Sequence, residues 1–157
     1  MIGFIGQYDS TIDSKGRFLL PVGFKKQLPE EENHVFVINM GIENCLTLYP
    51  LQSWEPVFNQ VIQLNDFDPE VREFRRQFLN GATRVELDSA GRILLPKNLM
   101  EHAFLDKDII LASAGDKMEI WDKSERQKVM KGITAESYSR LANKVMNRQE
   151  SKPNGQL

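Results

Sequence analysis

The same nine-residue pattern occurs twice in this chain, 75 positions apart. Residues 13–21 read DSKGRFLLP and residues 88–96 read DSAGRILLP. The match extends further, because apolar positions recur at the same offset and LTLYP at 46–50 aligns with MEIWD at 118–122 after a short deletion. Self-similarity of this kind predicts an internal duplication of a unit of roughly 45 residues.

Each unit has the local pattern of a small β-rich fold. The runs HVFVI at 34–38 and CLTLYP at 45–50 are rich in β-branched and aromatic residues and are bounded by turn residues, as strands are. Pro21 and Pro96 stand where proline can open a short helix. Each unit is therefore predicted to run strand, loop, strand, short helix, strand and strand, which gives a mainly β, α+β fold with short helices.

The segment between the units breaks the β pattern. Asp68 is a suitable N-cap with Pro69 at the first helical position, and Gly81 can close the same helix. Arg72, Arg75 and Arg76 follow on the face opposite its apolar side chains, which is typical of a solvated helix face. The predicted domains are a first half over 7–54, a helical connector over 55–81, a second half over 83–126, and a helical stretch with a disordered tail (148–157) over 127–157.

The repeated loop has a turn geometry that its residues explain. Gly16 and Gly91 supply the positive φ that a tight connection needs. Asp13 and Asp88 can accept hydrogen bonds from nearby backbone amides. A single copy of such a loop predicts only a turn.

The arginines after the two glycines need a further explanation. The neighbouring position differs between the copies, Lys15 against Ala90, whereas Arg17 and Arg92 match. A glycine turn has no steric need for arginine after it. The matched pair therefore indicates either a structural ion pair with the nearby aspartate or a recognition role.

Charge and residue usage exclude several classes of function. The net charge is −2, but residues 123–152 carry +5 and the first 122 residues −7, so an anion site in the body must be local. His34 and His102 have no partner at metal-ligand spacing, and no catalytic motif or phosphate loop is present, so we predict neither an enzyme nor a cofactor. The single cysteine, Cys45, is interpreted as a small core residue. No window is apolar enough for a membrane span, which favours a cytoplasmic protein.

The ordered motifs resemble the MraZ family, bacterial regulators of the division and cell-wall gene cluster. That family has an Asp-x-x-x-Arg motif in each half, here residues 13–17 and 88–92, each followed by LLP. LTLYP with Trp54 soon after it, and EIWD at 119–122, also match in order, so that the resemblance covers about Ile5 to Arg126.

The resemblance implies both a fold and a function. It implies two AbrB-like swapped-hairpin halves that form a β-barrel, and a ring-shaped homo-oligomer at the nucleoid that reads guanine-rich direct repeats in double-stranded DNA upstream of its own operon. Family members usually carry an arginine in the short helix, where this chain has Lys25 or Lys26 and, in the second copy, Met100. The DNA-binding residues implied are Asp13, Lys15, Gly16, Arg17, Lys25, Asp88, Gly91 and Arg92.

One alternative function stays open at this point. The same superfamily includes antitoxin-like proteins that hold a toxin through a flexible tail, and this chain ends in a charged segment. The duplication argues against that function, because an antitoxin gains its second hairpin by dimerising. A gel shift against the upstream DNA separates the two.

Overall fold

The computed structural model describes residues 3–30 and 34–150. In these ranges the chain forms eight strands and six helices. The strands are β1 (Gln7–Thr11), β2 (Arg17–Leu19), β3 (Val35–Met40), β4 (Leu46–Pro50), β5 (Thr83–Glu86), β6 (Arg92–Leu94), β7 (Asp108–Ser113) and β8 (Met118–Asp122). The helices are α1 (Val22–Lys25), α2 (Leu51–Ile62), α3 (Pro69–Gly81), α4 (Lys97–His102), α5 (Lys123–Met130) and α6 (Ala135–Glu150). The mixed, mainly β class is therefore confirmed.

The two halves exchange strands. The main sheet is antiparallel with the order β1-β7-β8-β4-β3-β5, and β2 pairs with β6 in a separate ladder. β1 of the first half pairs with β7 of the second half, while β5 of the second half pairs with β3 of the first. Each half thus adds its first strand to the other half's sheet, which is the swapped arrangement.

The sheet does not close into the barrel that the family resemblance implied. β1 and β5 are the two ends of the strand order, and within the described ranges only one isolated bridge, Ile12 to Phe18, links the sheet to the ladder. β2 and β6 are three residues long and use their hydrogen-bonding groups on each other. The outcome is an open six-stranded sheet with a short two-stranded ladder on one face.

The main core lies between this ladder and the sheet. Phe18 and Ile93 are directly opposite each other at the centre of the ladder and are 1% and 0% exposed. Phe24 of α1 and Leu99 of α4 are fully buried in the same cluster. Both halves contribute to this main core, so neither half can form it alone.

A second, smaller core lies on the opposite face of the sheet, where α2 and α3 pack against strands of the first half. Tyr49 of β4 packs edge-on against Trp54 of α2 with ring centroids 5.2 Å apart, and Trp54 stacks on Phe78 of α3 at 5.5 Å. The Asp68 carboxylate accepts a hydrogen bond of 3.0 Å from the Glu70 amide, which confirms the predicted start of α3.

Gly81, the last residue of α3, is a glycine because the helix packs closely there. A Cβ added there would lie 2.7 Å from Asn39 Oδ1 and 2.9 Å from Met40 Cε, closer than side chains tolerate. Asn39 is itself buried and donates to the Phe78 carbonyl at 3.0 Å. The glycine thus allows α3 to lie close to β3.

The C-terminal segment is more helical than expected. The chain up to Arg126 forms one compact unit, and the chain from Gln127 onward forms another. Residues 148–150, which the sequence indicated as the start of a disordered tail, are the last residues of α6, and the rest of that tail, 151–157, lies outside the described residues. Along the described chain, no helix combines the length and apolar character needed to cross a bilayer.

Candidate nucleic-acid interface

Loop 1, residues 13–17, is a tight turn organised by Asp13. The Asp13 Oδ1 atom accepts hydrogen bonds from the Lys15 and Arg17 amides, both 2.9 Å long. The Gly16 amide donates to the Asp13 carbonyl at 3.0 Å with φ at +82°. Glycine is favoured there because a side chain rarely adopts that conformation.

Loop 2, residues 88–92, repeats this geometry. The Asp88 Oδ1 atom accepts from the Ala90 and Arg92 amides at 2.9 Å each. Gly91 has φ at +81°, and its amide donates to the Asp88 carbonyl at 2.9 Å. The two loops are therefore the same structure built twice.

Each loop also contains the ion pair that its residues suggested. Arg17 Nε donates to Asp13 Oδ2 at 2.9 Å, and Arg92 Nε donates to Asp88 Oδ2 at 3.0 Å. Neither arginine uses its terminal amino groups in a hydrogen bond within the described residues. The ion pair fixes the guanidinium group through Nε and leaves its two-pronged end for a ligand. A structural role and a recognition role are thus compatible.

The ladder places both arginines on one surface. Arg17 lies opposite Leu94 and Leu19 lies opposite Arg92, on either side of the buried Phe18 and Ile93 pair. Because side chains alternate along a strand, these four side chains share the outward face, where Leu19 and Leu94 are 51% and 58% exposed. Diagonal neighbours in such a ladder are about 7–8 Å apart. Arg17 and Arg92 therefore start from neighbouring positions on the same outward face of the ladder.

The swapped strands bring each loop beside the other copy's helix. The Leu20 amide donates to the Gly91 carbonyl at 3.1 Å. A Cβ on Gly91 would lie 3.9 Å from Lys25 Nζ, and one on Gly16 would lie 3.9 Å from Met100 Sδ. Lys25 follows loop 1 in the sequence but lies beside loop 2 in the structure. Loop 1 has Lys15 and loop 2 has Lys25.

The aspartates stay ionised because the loops bind their charged form. The hydrogen bond from the Arg17 amide is the main cause that lowers the pKa of Asp13 below 3.8, with the Arg17 side chain adding to it. The Arg92 amide lowers the pKa of Asp88 in the same way. A lowered pKa stabilises the fold above pH 3.8, and this contribution disappears as the pH falls through the folded-state value.

We expect the Asp13 carboxyl group to titrate below pH 3.8 in the folded protein. Side-chain carboxyl shifts followed by NMR between pH 2 and 6 measure this directly. Arg17→Ala keeps the backbone amide but removes the guanidinium group, so the midpoint should rise in part. An Asp13 midpoint at or above the unperturbed value contradicts the loop geometry.

The connector arginines have a local role that sequence reasoning missed. Arg75 pairs with the Asp66 carboxylate and donates to the Leu64 carbonyl at 2.6 Å, while Arg72 donates to the Asp66 carbonyl at 2.8 Å. These contacts hold the turn between α2 and α3. Arg72 is exposed, as the solvated-face interpretation predicts, whereas Arg75 is partly buried, so that interpretation is wrong for Arg75. The signal in the sequence was Asp66, a carboxylate in the turn just before the arginine-rich helix.

The single thiol is buried and chemically quiet. Cys45 is 1% exposed, which confirms its interpretation as a core residue. Burial, with the nearby Glu119 and Glu43 carboxylates, raises the pKa of the Cys45 thiol to about 12. No cluster of potential metal ligands occurs among the described residues.

Comparison with known proteins identifies the family. A family model described as "MraZ protein, putative antitoxin-like" matches residues 4–77 and again residues 78–149. The chain belongs to the MraZ family. It is similar to proteins named "Transcriptional regulator MraZ" from Cytophaga hutchinsonii, 41% identical over 91% of this chain and 94% of the relative, and Moorella thermoacetica, 39% identical over 91% and 96%. A third relative of that name, from Alkaliphilus oremlandii, is 39% identical over 90% of this chain and 96% of its own.

The two family matches also extend the duplication. The first contains α2 and most of α3, and the second contains α5 and nearly all of α6. The helical pair that follows the second half therefore corresponds to the connector that follows the first. The resemblance seen in the sequence ended at about Arg126, although LTLYP and MEIWD each lead directly into a helix.

Proposed function

We propose that this MraZ family member is a sequence-specific DNA-binding transcriptional regulator. It reads guanine-rich direct repeats in the double-stranded DNA upstream of its own division and cell-wall operon, and it acts in the cytoplasm at the nucleoid. The observation that carries this proposal is the pair of matching loops, which present Arg17 and Arg92 on one exposed surface. The regulator names of the relatives support it.

The arginine geometry suits guanine. A guanidinium group held through Nε still has two parallel N–H donors, and these match the O6 and N7 acceptors of guanine in the major groove. Held by Asp13 or Asp88, each side chain loses less conformational freedom when it binds. The aspartates are thus positioning residues, and the arginines make the base contacts.

The charge of the surface is locally favourable despite the acidic body. Lys15 and Lys25 add one cation to each loop, while both loop carboxylates are engaged by their own arginines. Phosphate contacts by lysine provide affinity and register without sequence information. A homo-oligomeric ring adds affinity by presenting many such surfaces to spaced repeats.

The decisive test is binding to the DNA upstream of the chain's own gene. Fluorescence anisotropy and footprinting at one fixed salt concentration should show protection of repeated guanine runs. The control duplex has the same length, with each guanine run replaced by adenine, and should bind far more weakly. Equal affinity for both duplexes contradicts guanine reading. Binding to neither duplex, with capture of a separate toxin protein, supports the antitoxin-like alternative that the family description mentions.

Removing either loop lysine should reduce the salt dependence of binding equally. Each phosphate contact contributes about 0.9 to the slope of log affinity against log salt. We expect Lys15→Ala and Lys25→Ala each to make that slope shallower by about one contact, with the preference for guanine retained. Lys117→Ala is the matched control, because Lys117 lies 5.9 Å over the Tyr49 ring on the other sheet face. A change confined to Lys15→Ala contradicts the crossed placement of Lys25.

A further inference from the structure

Helix α6 has an exposed apolar stripe. Tyr138, Leu141, Val145 and Met146 are 40–69% exposed. Tyr138, Leu141 and Val145 are three and four residues apart, and Met146 lies eight residues after Tyr138, so that all four share one side of the helix. An exposed apolar stripe of this kind on a protein surface marks an interaction site.

The stripe has a basic edge that restricts its partner. Arg140, Lys144 and Arg148 recur every four residues and lie along one side of the stripe. They belong to a segment of +5, whereas the first 122 residues of the same chain carry −7. The body of another copy is therefore an electrostatically complementary partner.

That body contains an apolar groove beside α3, here named the α3 groove. Its walls include Met40, Ile42, Tyr49 and Phe74. Ile42 is fully exposed and Phe74 is half exposed. Phe74 stacks on Phe78 at 5.6 Å, so the groove continues into the aromatic core around Trp54. An apolar helix face is the kind of ligand that such a groove binds.

The charges of the α3 groove complement α6. The Glu43 and Glu119 carboxylates line it together with one amino group, Lys117. Glu119 also accepts a hydrogen bond of 3.1 Å from the Trp121 indole, which fixes its position. A basic helix edge laid along this groove has fixed carboxylates as partners.

We propose that α6 of one copy docks its apolar stripe into the α3 groove of a second copy. The surfaces differ, so the contact is heterologous, and its repetition from copy to copy forms a ring when the rotation between copies closes. The inference rests on the assembly in the proposed function and names the surface that builds it. DNA binding is measured separately, so the two can fail independently.

Light scattering on the full chain tests the contact through the helix. Leu141→Glu places a charge in the apolar stripe, and light scattering at micromolar concentration should then show a species of smaller mass than the unmodified assembly. Asn147→Glu adds the same charge on the opposite side of α6 and should leave the mass unchanged. Circular dichroism verifies folding of both. An unchanged mass for Leu141→Glu, or an equal loss for both variants, overturns the proposal.

Cross-linking between differently tagged chains tests the groove. In a Cys45→Ala background, one chain carries Val145→Cys and the other carries Ile42→Cys. A short bismaleimide should cross-link the two differently tagged chains. The control pair, Asn147→Cys with Ile42→Cys, should give no such product. Absence of the first product, or an equal yield from the Asn147→Cys pair, overturns the proposal. If the ring persists without that cross-link, the assembly stands and only this contact is wrong.

Discussion

Replacing both Arg17 and Arg92 with Ala is expected to abolish specific DNA binding while leaving the fold intact. A bidentate arginine–guanine contact contributes about 1–3 kcal/mol of discrimination, and each chain loses two. An oligomer multiplies the loss over every engaged subunit. Anisotropy titrations against the upstream duplex measure the change, and circular dichroism verifies folding.

The matched control removes the same charge elsewhere. Arg76→Ala with Arg84→Ala deletes two exposed arginines, one on α3 and one on β5 opposite Val37, on the face of the sheet away from the ladder. That variant should keep its preference for guanine runs. The two single variants, Arg17→Ala and Arg92→Ala, should lose similar amounts of affinity, since the loops share geometry and each has one added lysine. Full affinity in the double loop variant would show that the loops are turns and nothing more.

Phe18→Ala is expected to destabilise both halves of the chain together. Phe18 is 1% exposed at the centre of the shared core, and a buried Phe→Ala change costs about 3–5 kcal/mol. That is a large part of a typical stability of about 5–15 kcal/mol. Leu19→Ala, one residue along the same strand and half exposed, is the control and should cost far less.

The two tryptophans allow each half to be observed separately. Trp54 lies on α2 at the end of the first half, and Trp121 lies on β8 of the second half. Variants with a single tryptophan, unfolded in urea, should give coincident transitions before and after Phe18→Ala. Coincidence follows because β1 completes the second half's strands and β5 completes the first's. Two separated transitions would refute a shared core.

The sequence predicted which segments of the two halves correspond to each other, but it did not predict which segments lie next to each other in the fold. The duplicated loops, the Asp–Arg pairs and the start of α3 follow from local rules of turn and cap chemistry, which need only near neighbours along the chain. The position of Lys25 does not, because β2 pairs antiparallel with β6 and carries the helix of one copy to the loop of the other. The predicted barrel was wrong for a similar reason. The lengths of β2 and β6, which decide whether the sheet can close, depend on the whole fold and not on local sequence.

The helical pairs show the same limit. α2 and α3 were identifiable because their apolar residues pack on the sheet and are strongly periodic. α5 has no buried residue, and α6 shows an apolar stripe that is open to solvent. The two family matches show that the pair α5 and α6 corresponds to the pair α2 and α3, because each match contains most of one pair.

The fusion of two hairpins into one chain has a consequence for direction. A dimer of two identical hairpins would have exact two-fold symmetry, which suits a palindromic DNA site. Here the pseudo-two-fold is broken at Lys15 against Ala90 and at Lys25 against Met100. The surface therefore has two unlike ends. Under the proposed function, a duplex laid across it would have one preferred polarity, which suits repeats that all point the same way and which identical subunits would not provide.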